Sequence, residues 1–215
     1  PTILSRCQIY DFNRIEINDI VDYLKFVSKN ENVNADEEGL NIIAQKADGA
    51  LRDALSIFDQ MVSFSGNEFG YHDVIENLNI LDYEFYFQFV GFFLENNISQ
   101  TLNLLNDIMN NGFDGQIIIN GLNKHLRDLM VSKDNSTIEL LEVGEKIKSK
   151  YAEQAKNCNI LFLTKAMEIL IKADVSYKQS YNKRLHTEIT MISLCHLSEK
   201  KTEIKNNQIN KKDKT

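Results

Sequence analysis

The sequence predicts an all-α protein, a small three-helix unit followed by a longer helical bundle. Three observations lead there. The single proline is Pro1, so no later residue lacks its amide donor or forces a kink. Only nine glycines occur in 215 residues, which leaves long stretches free of the commonest helix breakers. Apolar residues recur at three- and four-residue intervals, and nowhere alternate with period two for long enough to make a strand.

Ile17, Ile20, Val21, Leu24 and Val27 form the apolar face of a first helix, with Asp19, Asp22 and Lys25 opposite. The stretch NVNADEEGLNIIAQKADG reads as a second helix, turning Leu40, Ile43, Ala44 and Ala47 inward. Gly49 stands where a left-handed C-terminal residue belongs. A third helix, ALRDALSIFDQMVSF, buries Leu51, Leu55, Phe58 and Met61 or Val62. The loop SGNEFGYH then closes a compact unit over residues 9–66.

From Asp73 the pattern lengthens, with helices expected at 73–80, 83–95, 98–111, 114–132, 137–156, 159–177 and 182–197. Gly112 ends one of them and Asp114 can cap the next. Ser136 and Glu139 have capping-box spacing, and Asn159 and Asn182 suit N-cap positions. The bundle spans residues 67–198, and the Lys/Asn-rich stretch 199–215 reads as a flexible linker or tail. There is no internal repeat.

With 43% apolar and 26% charged residues the chain is an ordinary globular one, not a disordered one. No run approaches the roughly 18–20 apolar residues of a membrane span. Cys7, Cys158 and Cys195 are odd in number and far apart, with no CxxC pair or Cys/His cluster. They read as reduced thiols of a cytoplasmic protein that holds no structural metal. The net charge is −7, and the tail from Glu199 carries six lysines against three acids, leaving about −10 on residues 1–198. A body this acidic repels phosphate backbones, which disfavours direct DNA binding by this piece.

A search for a self-contained active site finds none. There is no Walker A loop, GxGxxG, HExxH or GxSxG. His72, His125, His186 and His196 follow no ligand spacing and suit ordinary surface or helix-edge roles. The run YEFYFQFVGFF (83–93) could suggest base stacking, but its aromatics fall all round a helix without interleaved cations, so packing is the better reading. Two arginines remain. Arg52, in GALRDALS, falls in the first turn of the third helix beside Asp53. Helix starts attract anions, and a guanidinium there can grip a phosphate; the plainer alternative is a surface arginine paired with Asp48 or another acid. Arg6, in SRC, is on its own no more than a solvated cation near the chain start.

Taken together, PTILSRCQIYDF and GALRDALSIFDQ, with Arg52 46 residues after Arg6, resemble the bacterial clamp-loader ATPase family, the tau/gamma subunits of DNA polymerase III. The stretches DVIENLNIL, NGFDGQIIINGLNKHLRDLMV and NKRLHTEITMISLCHL are similar to that family's helical collar. Asn79 stands where the family often has Gly, and Asn tolerates the same left-handed conformation. The resemblance implies that residues 1–8 end a truncated AAA+ nucleotide-binding domain, 9–66 form its lid and 67–198 its oligomerisation collar. It gives Arg6 the role of an arginine finger acting in trans on a neighbour's ATP. Arg52 becomes the sensor-2 residue on the phosphate of its own chain's ATP.

The family's phosphate-binding loop, Mg²⁺-binding acidic motif and four-cysteine zinc module do not occur in this sequence. ATP with Mg²⁺ therefore belongs to the full-length protein, and this fragment is expected to bind and hydrolyse none alone. The implied function is the coupling of ATP binding and hydrolysis to loading of a sliding clamp on primed DNA, within the cytoplasmic replicative holoenzyme. The implied partners are other tau/gamma copies, delta and delta-prime through the collar, and the clamp and primer-template DNA through the whole complex. No membrane is involved. Two alternatives stay open at this point: a purely structural helical oligomerisation module, and the lid and bundle of another AAA+ protein.

Overall fold

A computed structural model describes residues 13–134 and 136–197. Among these are ten α-helices and a single two-residue parallel strand pair, grouped in two compact units. Arg6, Cys7, the rest of residues 1–8 and the tail 199–215 lie outside the described residues.

The first unit runs to Ile80 and includes Glu142–Gly144. Helix α1 (Ile17–Asn30) buries Ile20, Val21 and Leu24, the inner part of its apolar face. Helix α2 (Glu37–Ala47) is the central element; Leu40, Ile43, Ala44 and Ala47 are all buried on it. Two left-handed residues end it, Asp48 (φ 48°) and Gly49 (φ 82°). Helix α3 (Leu51–Ser65) then packs on α2 through Ala54, Phe58 and Met61, while Val62 stays half-buried. The strands β1 (Asn34–Ala35) and β2 (Glu68–Phe69) pair in parallel, too briefly for any alternation to show in sequence. Helix α4 (Tyr71–Asn77) starts two residues before the expected 73 and lies on α2, with Val74 fully buried. Asn79 beyond it has φ 49°, the left-handed conformation anticipated for that position.

The second unit is a six-helix bundle. Helices α5 (Tyr83–Leu94), α6 (Ile98–Asn110), α7 (Gly115–Val131), α9 (Ile160–Tyr177) and α10 (Lys183–Cys195) fall within a residue or two of expectation. The cap residues explain why. Asp114 accepts from Gln116 N–H at 2.8 Å, Asn159 from Leu161 N–H at 2.8 Å and Asn182 from Leu185 N–H at 3.0 Å. In the aromatic run, Tyr86, Phe89 and Phe93 are buried and the other rings half-buried, so packing accounts for them.

One helix departs from expectation. The spacing of Ser136 and Glu139 predicts a helix over 137–156, but α8 spans Glu145–Asn157. Asp134 is the reason, because its Oδ1 accepts from both the backbone N–H and the hydroxyl of Ser136 at 2.8 Å. The hydroxyl that should have capped a helix is spent on a tight turn. A single 3-10 turn follows at Ile138–Leu140. Leu141 and Val143 are then buried from non-helical backbone, an anchoring that postpones the helix. No helix among the described residues is long and apolar enough to cross a membrane.

Candidate functional site

Of the two arginines singled out by sequence, the structure describes Arg52. Its position follows from how α2 hands over to α3. The left-handed pair Asp48–Gly49 reverses the chain, and Ala50 enters α3 in extended conformation (φ −103°, ψ 101°). A Cβ on Gly49 would stand 2.6 Å from the Cβ of Arg14, so the turn admits no side chain there. Alanine has no oxygen to cap the helix, and the N–H groups of Leu51 and Arg52 meet no acceptor among the described residues. The start of α3 therefore presents unmet donors and the positive end of the helix dipole.

Arg52 sits on that turn with an exposed side chain. Its backbone carbonyl accepts from Ser56 Oγ at 2.9 Å, but no carboxylate pairs with its guanidinium among the described residues. The expected competitor, Asp48, is taken by Arg14 instead. Asp53, the only acid in the first turn, is likewise exposed. The result is an uncommitted fork of donors beside free backbone N–H groups, a combination suited to an oxyanion such as a phosphate. No group of three or more His, Cys, Asp or Glu able to hold a metal ion occurs among the described residues.

The histidine sequence reasoning missed is His125. It was expected at a surface or helix edge, but it is 1% exposed at the centre of the bundle. Its Nδ1 accepts from the Tyr151 hydroxyl at 2.9 Å, and its Nε2–H donates to Gln154 Oε1 at 3.3 Å. Gln154 in turn donates to the Phe87 carbonyl at 2.8 Å, and the Phe87 ring meets the imidazole edge-on with centroids 4.6 Å apart. Burial pushes the imidazole pKa down to about 3, so it is neutral near pH 7. This is a structural lock joining α5, α7 and α8, and nothing in its spacing distinguished it from the other histidines.

Against this geometry, comparison with known proteins is decisive. Residues 19–67 match the family model described as the DNA polymerase III clamp loader subunit, ATPase lid domain. Residues 72–208 match the one described as DNA polymerase III subunits gamma and tau, domain III. The chain belongs to the gamma/tau family of DNA polymerase III clamp-loader subunits. This gamma/tau chain is 28% identical over 197 residues to DNA polymerase III subunit tau of Bacillus subtilis, covering 92% of the chain and 35% of that protein. It is 32% identical over 168 residues to the gamma/tau subunit of Mycoplasma genitalium, covering 78% of the chain and 28% of that protein. The chain thus spans about a third of the length of these relatives. The fold is also that of the Bacillus subtilis DNA clamp loader delta protein, with a TM-score of 0.52 at 15% identity over 90% of this chain and 61% of that one.

In the gamma/tau frame, α1 from its third residue, α2 and α3 lie in the lid match, and Arg52 stands on the lid. The domain III match begins at residue 72, inside α4, although α4 groups by its contacts with the first unit. The aromatic run, the His125 lock and α6–α10 all fall within domain III.

Proposed function

We propose that this chain is the lid and collar portion of a clamp-loader subunit that couples ATP binding and hydrolysis to placing a sliding clamp on primed DNA. The observation that supports it most directly is Arg52: an exposed, uncommitted guanidinium at the uncapped start of a helix, within the stretch that matches a clamp-loader ATPase lid. In the full-length protein Arg52 would contact a phosphate of the ATP bound by its own chain. A ligand that meets Arg52 only in one lid position shifts the lid toward that position by its differential affinity. Bound with Mg²⁺, ATP would supply the phosphoryl chemistry; the residues here bind and orient.

Arg6 would act in trans, on ATP held by a neighbouring subunit, as an arginine finger of the kind worth about 10³–10⁵ in kcat. Under this reading the bundle joins the chain to other tau/gamma copies, delta and delta-prime in the cytoplasm. Clamp and primer-template DNA are met through the whole complex. That division suits the charge, since residues 1–198 carry about −10 and would meet DNA unaided only against repulsion.

The test uses the full-length protein assembled with its partner subunits, comparing wild type, Arg52→Ala and Arg6→Ala in nucleotide binding and in clamp- and DNA-stimulated hydrolysis. Arg52→Ala should weaken ATP binding, whereas Arg6→Ala should cut hydrolysis at least about a hundredfold while ATP still binds. Unchanged binding and hydrolysis in both variants would leave a structural assembly module with no part in nucleotide chemistry.

A further inference from the structure

The turn before α2 and the turn before α4 hold an arrangement that neither the Arg52 site nor the bundle uses. Strands β1 and β2 pair in parallel with Asn34 opposite Glu68 and Ala35 opposite Phe69. Continuing that register by one residue sets Asp36 beside Gly70. These are the N-cap residues of α2 and α4, so two helices start side by side. Gly70 has no side chain to cap its helix. Asp36 serves both, its Oδ1 accepting from Gly39 N–H at 2.5 Å and its Oδ2 from Tyr71 N–H at 3.0 Å.

The glycines around it make room for the carboxylate. A Cβ on Gly39 would stand 2.8 Å from Asp36 Oδ1, and one on Gly70 would stand 2.9 Å from Oδ2. Gly70 has φ −125° and ψ −171°, extended backbone that any residue adopts, so space rather than conformation calls for glycine there. Asp36 N–H also donates to the Phe69 carbonyl at 3.3 Å, and Gln60 on α3 donates to Asn77 at the other end of α4 at 2.8 Å.

We infer that Asp36 is a clip that makes α4 part of the lid's cooperative unit, although α4 falls in the domain III match. A seven-residue helix is too short to persist unaided, so α4 exists because it is held. Asp73 closes its first turn from within, Oδ2 accepting from Gly70 N–H at 2.7 Å, and its holders on the lid are the Asp36 carboxylate at one end, Gln60 at the other and burial of Val74 between. Lid movement then carries α4 with it, and the chain is released only beyond Asn79. The link to lid movement rests on the proposed function; the clip does not, and its test involves no nucleotide.

The test is amide hydrogen exchange on this whole chain. Asp36→Asn leaves one carbonyl oxygen for two N–H groups; Asn caps α2 as well as Asp does, but presents an N–H donor to Tyr71. The amides of Val74, Leu78 and Ile80 should exchange about fivefold faster or more, while those of Leu40, Ile43 and Ala44 change less than about twofold. Unchanged α4 amides, or equal acceleration in α2 and α4, would overturn the clip. A double variant, Asp36→Ala with Gly70→Ser, gives α4 its own cap without the cross-link. Its α4 amides should stay fast; a return to wild-type protection would reduce Asp36 to an ordinary cap.

Discussion

Gly121→Ala, in the middle of α7, sets two effects of opposite sign against each other. In a solvated helix the change gains about 1 kcal/mol, because alanine loses less backbone freedom than glycine. Here the new methyl has nowhere to go. A Cβ on Gly121 would stand 2.7 Å from Tyr86 Cε1, and closer still to the Cζ and hydroxyl oxygen of that ring. Tyr86 is 6% exposed, fixed on α5 in a packed interior, and cannot swing out to solvent. Overpacking of this kind costs about 1–3 kcal/mol, and contact with three ring atoms argues for the top of the range. The net loss is then about 2 kcal/mol, or roughly 4–8 °C in Tm for a chain of this size.

Thermal unfolding followed by far-UV circular dichroism measures it, and a double-mutant cycle assigns the cause. In a Tyr86→Ala background the obstruction is gone, so Gly121→Ala should stabilise by about 0.5–1 kcal/mol, a coupling of about 3 kcal/mol. Were Gly121→Ala to raise Tm in the wild-type background, the close approach of Tyr86 to α7 would be refuted.

Three further outcomes follow from the same geometry. The His125 pKa is lowered in the fold to about 3, so the unfolded chain takes up this proton first. Its contribution to stability is complete above about pH 6.5 and is lost progressively toward pH 3. Denaturant titrations from pH 7 to 4 should show His125→Gln with a slope shallower than wild type by roughly one proton. Gly49→Ala puts a Cβ on a residue at φ 82° and against Arg14; equilibrium unfolding should show a loss of about 1–2 kcal/mol, and no loss would mean the turn is not tight. Cys158 and Cys195 are both buried, and burial raises both thiols, Cys158 to about 11. A thiol reagent should label them at the rate of unfolding in native buffer and at once in denaturant, so rapid native labelling would show them accessible.

Much of the fold is legible in the sequence. Period-3.6 apolar faces and cap residues act within a few residues of themselves, so the helices from α1 to α3 and most of those in the bundle are set locally. Asp114, Asn159 and Asn182 are local devices, each serving an N–H two or three residues on. The left-handed turn at Asn79 is of the same kind. The order of SRC, GALRDALS and the collar segments sufficed to identify the family, because it is a property of the chain and not of its packing.

Tertiary structure decided wherever one group had a choice of partners. Asp48 could have paired with Arg52, four residues on, but Arg14 was brought to it from 34 residues away, leaving Arg52 uncommitted. Ser136 could have capped a helix; Asp134, two residues back, took its hydroxyl in a local turn, but it was the burial of Leu141 and Val143 that moved the start of α8 to Glu145. Asp36 caps its own helix through Gly39 N–H, three residues on; only the β1–β2 register, joining segments more than 30 residues apart, gives its second oxygen to α4. His125 has no local pattern at all, and its neutrality follows from its burial once the helices have packed around it. Periodicity determines which face of a helix turns inward, while the partner each polar group finds there depends on distances that exist only once the helices have packed.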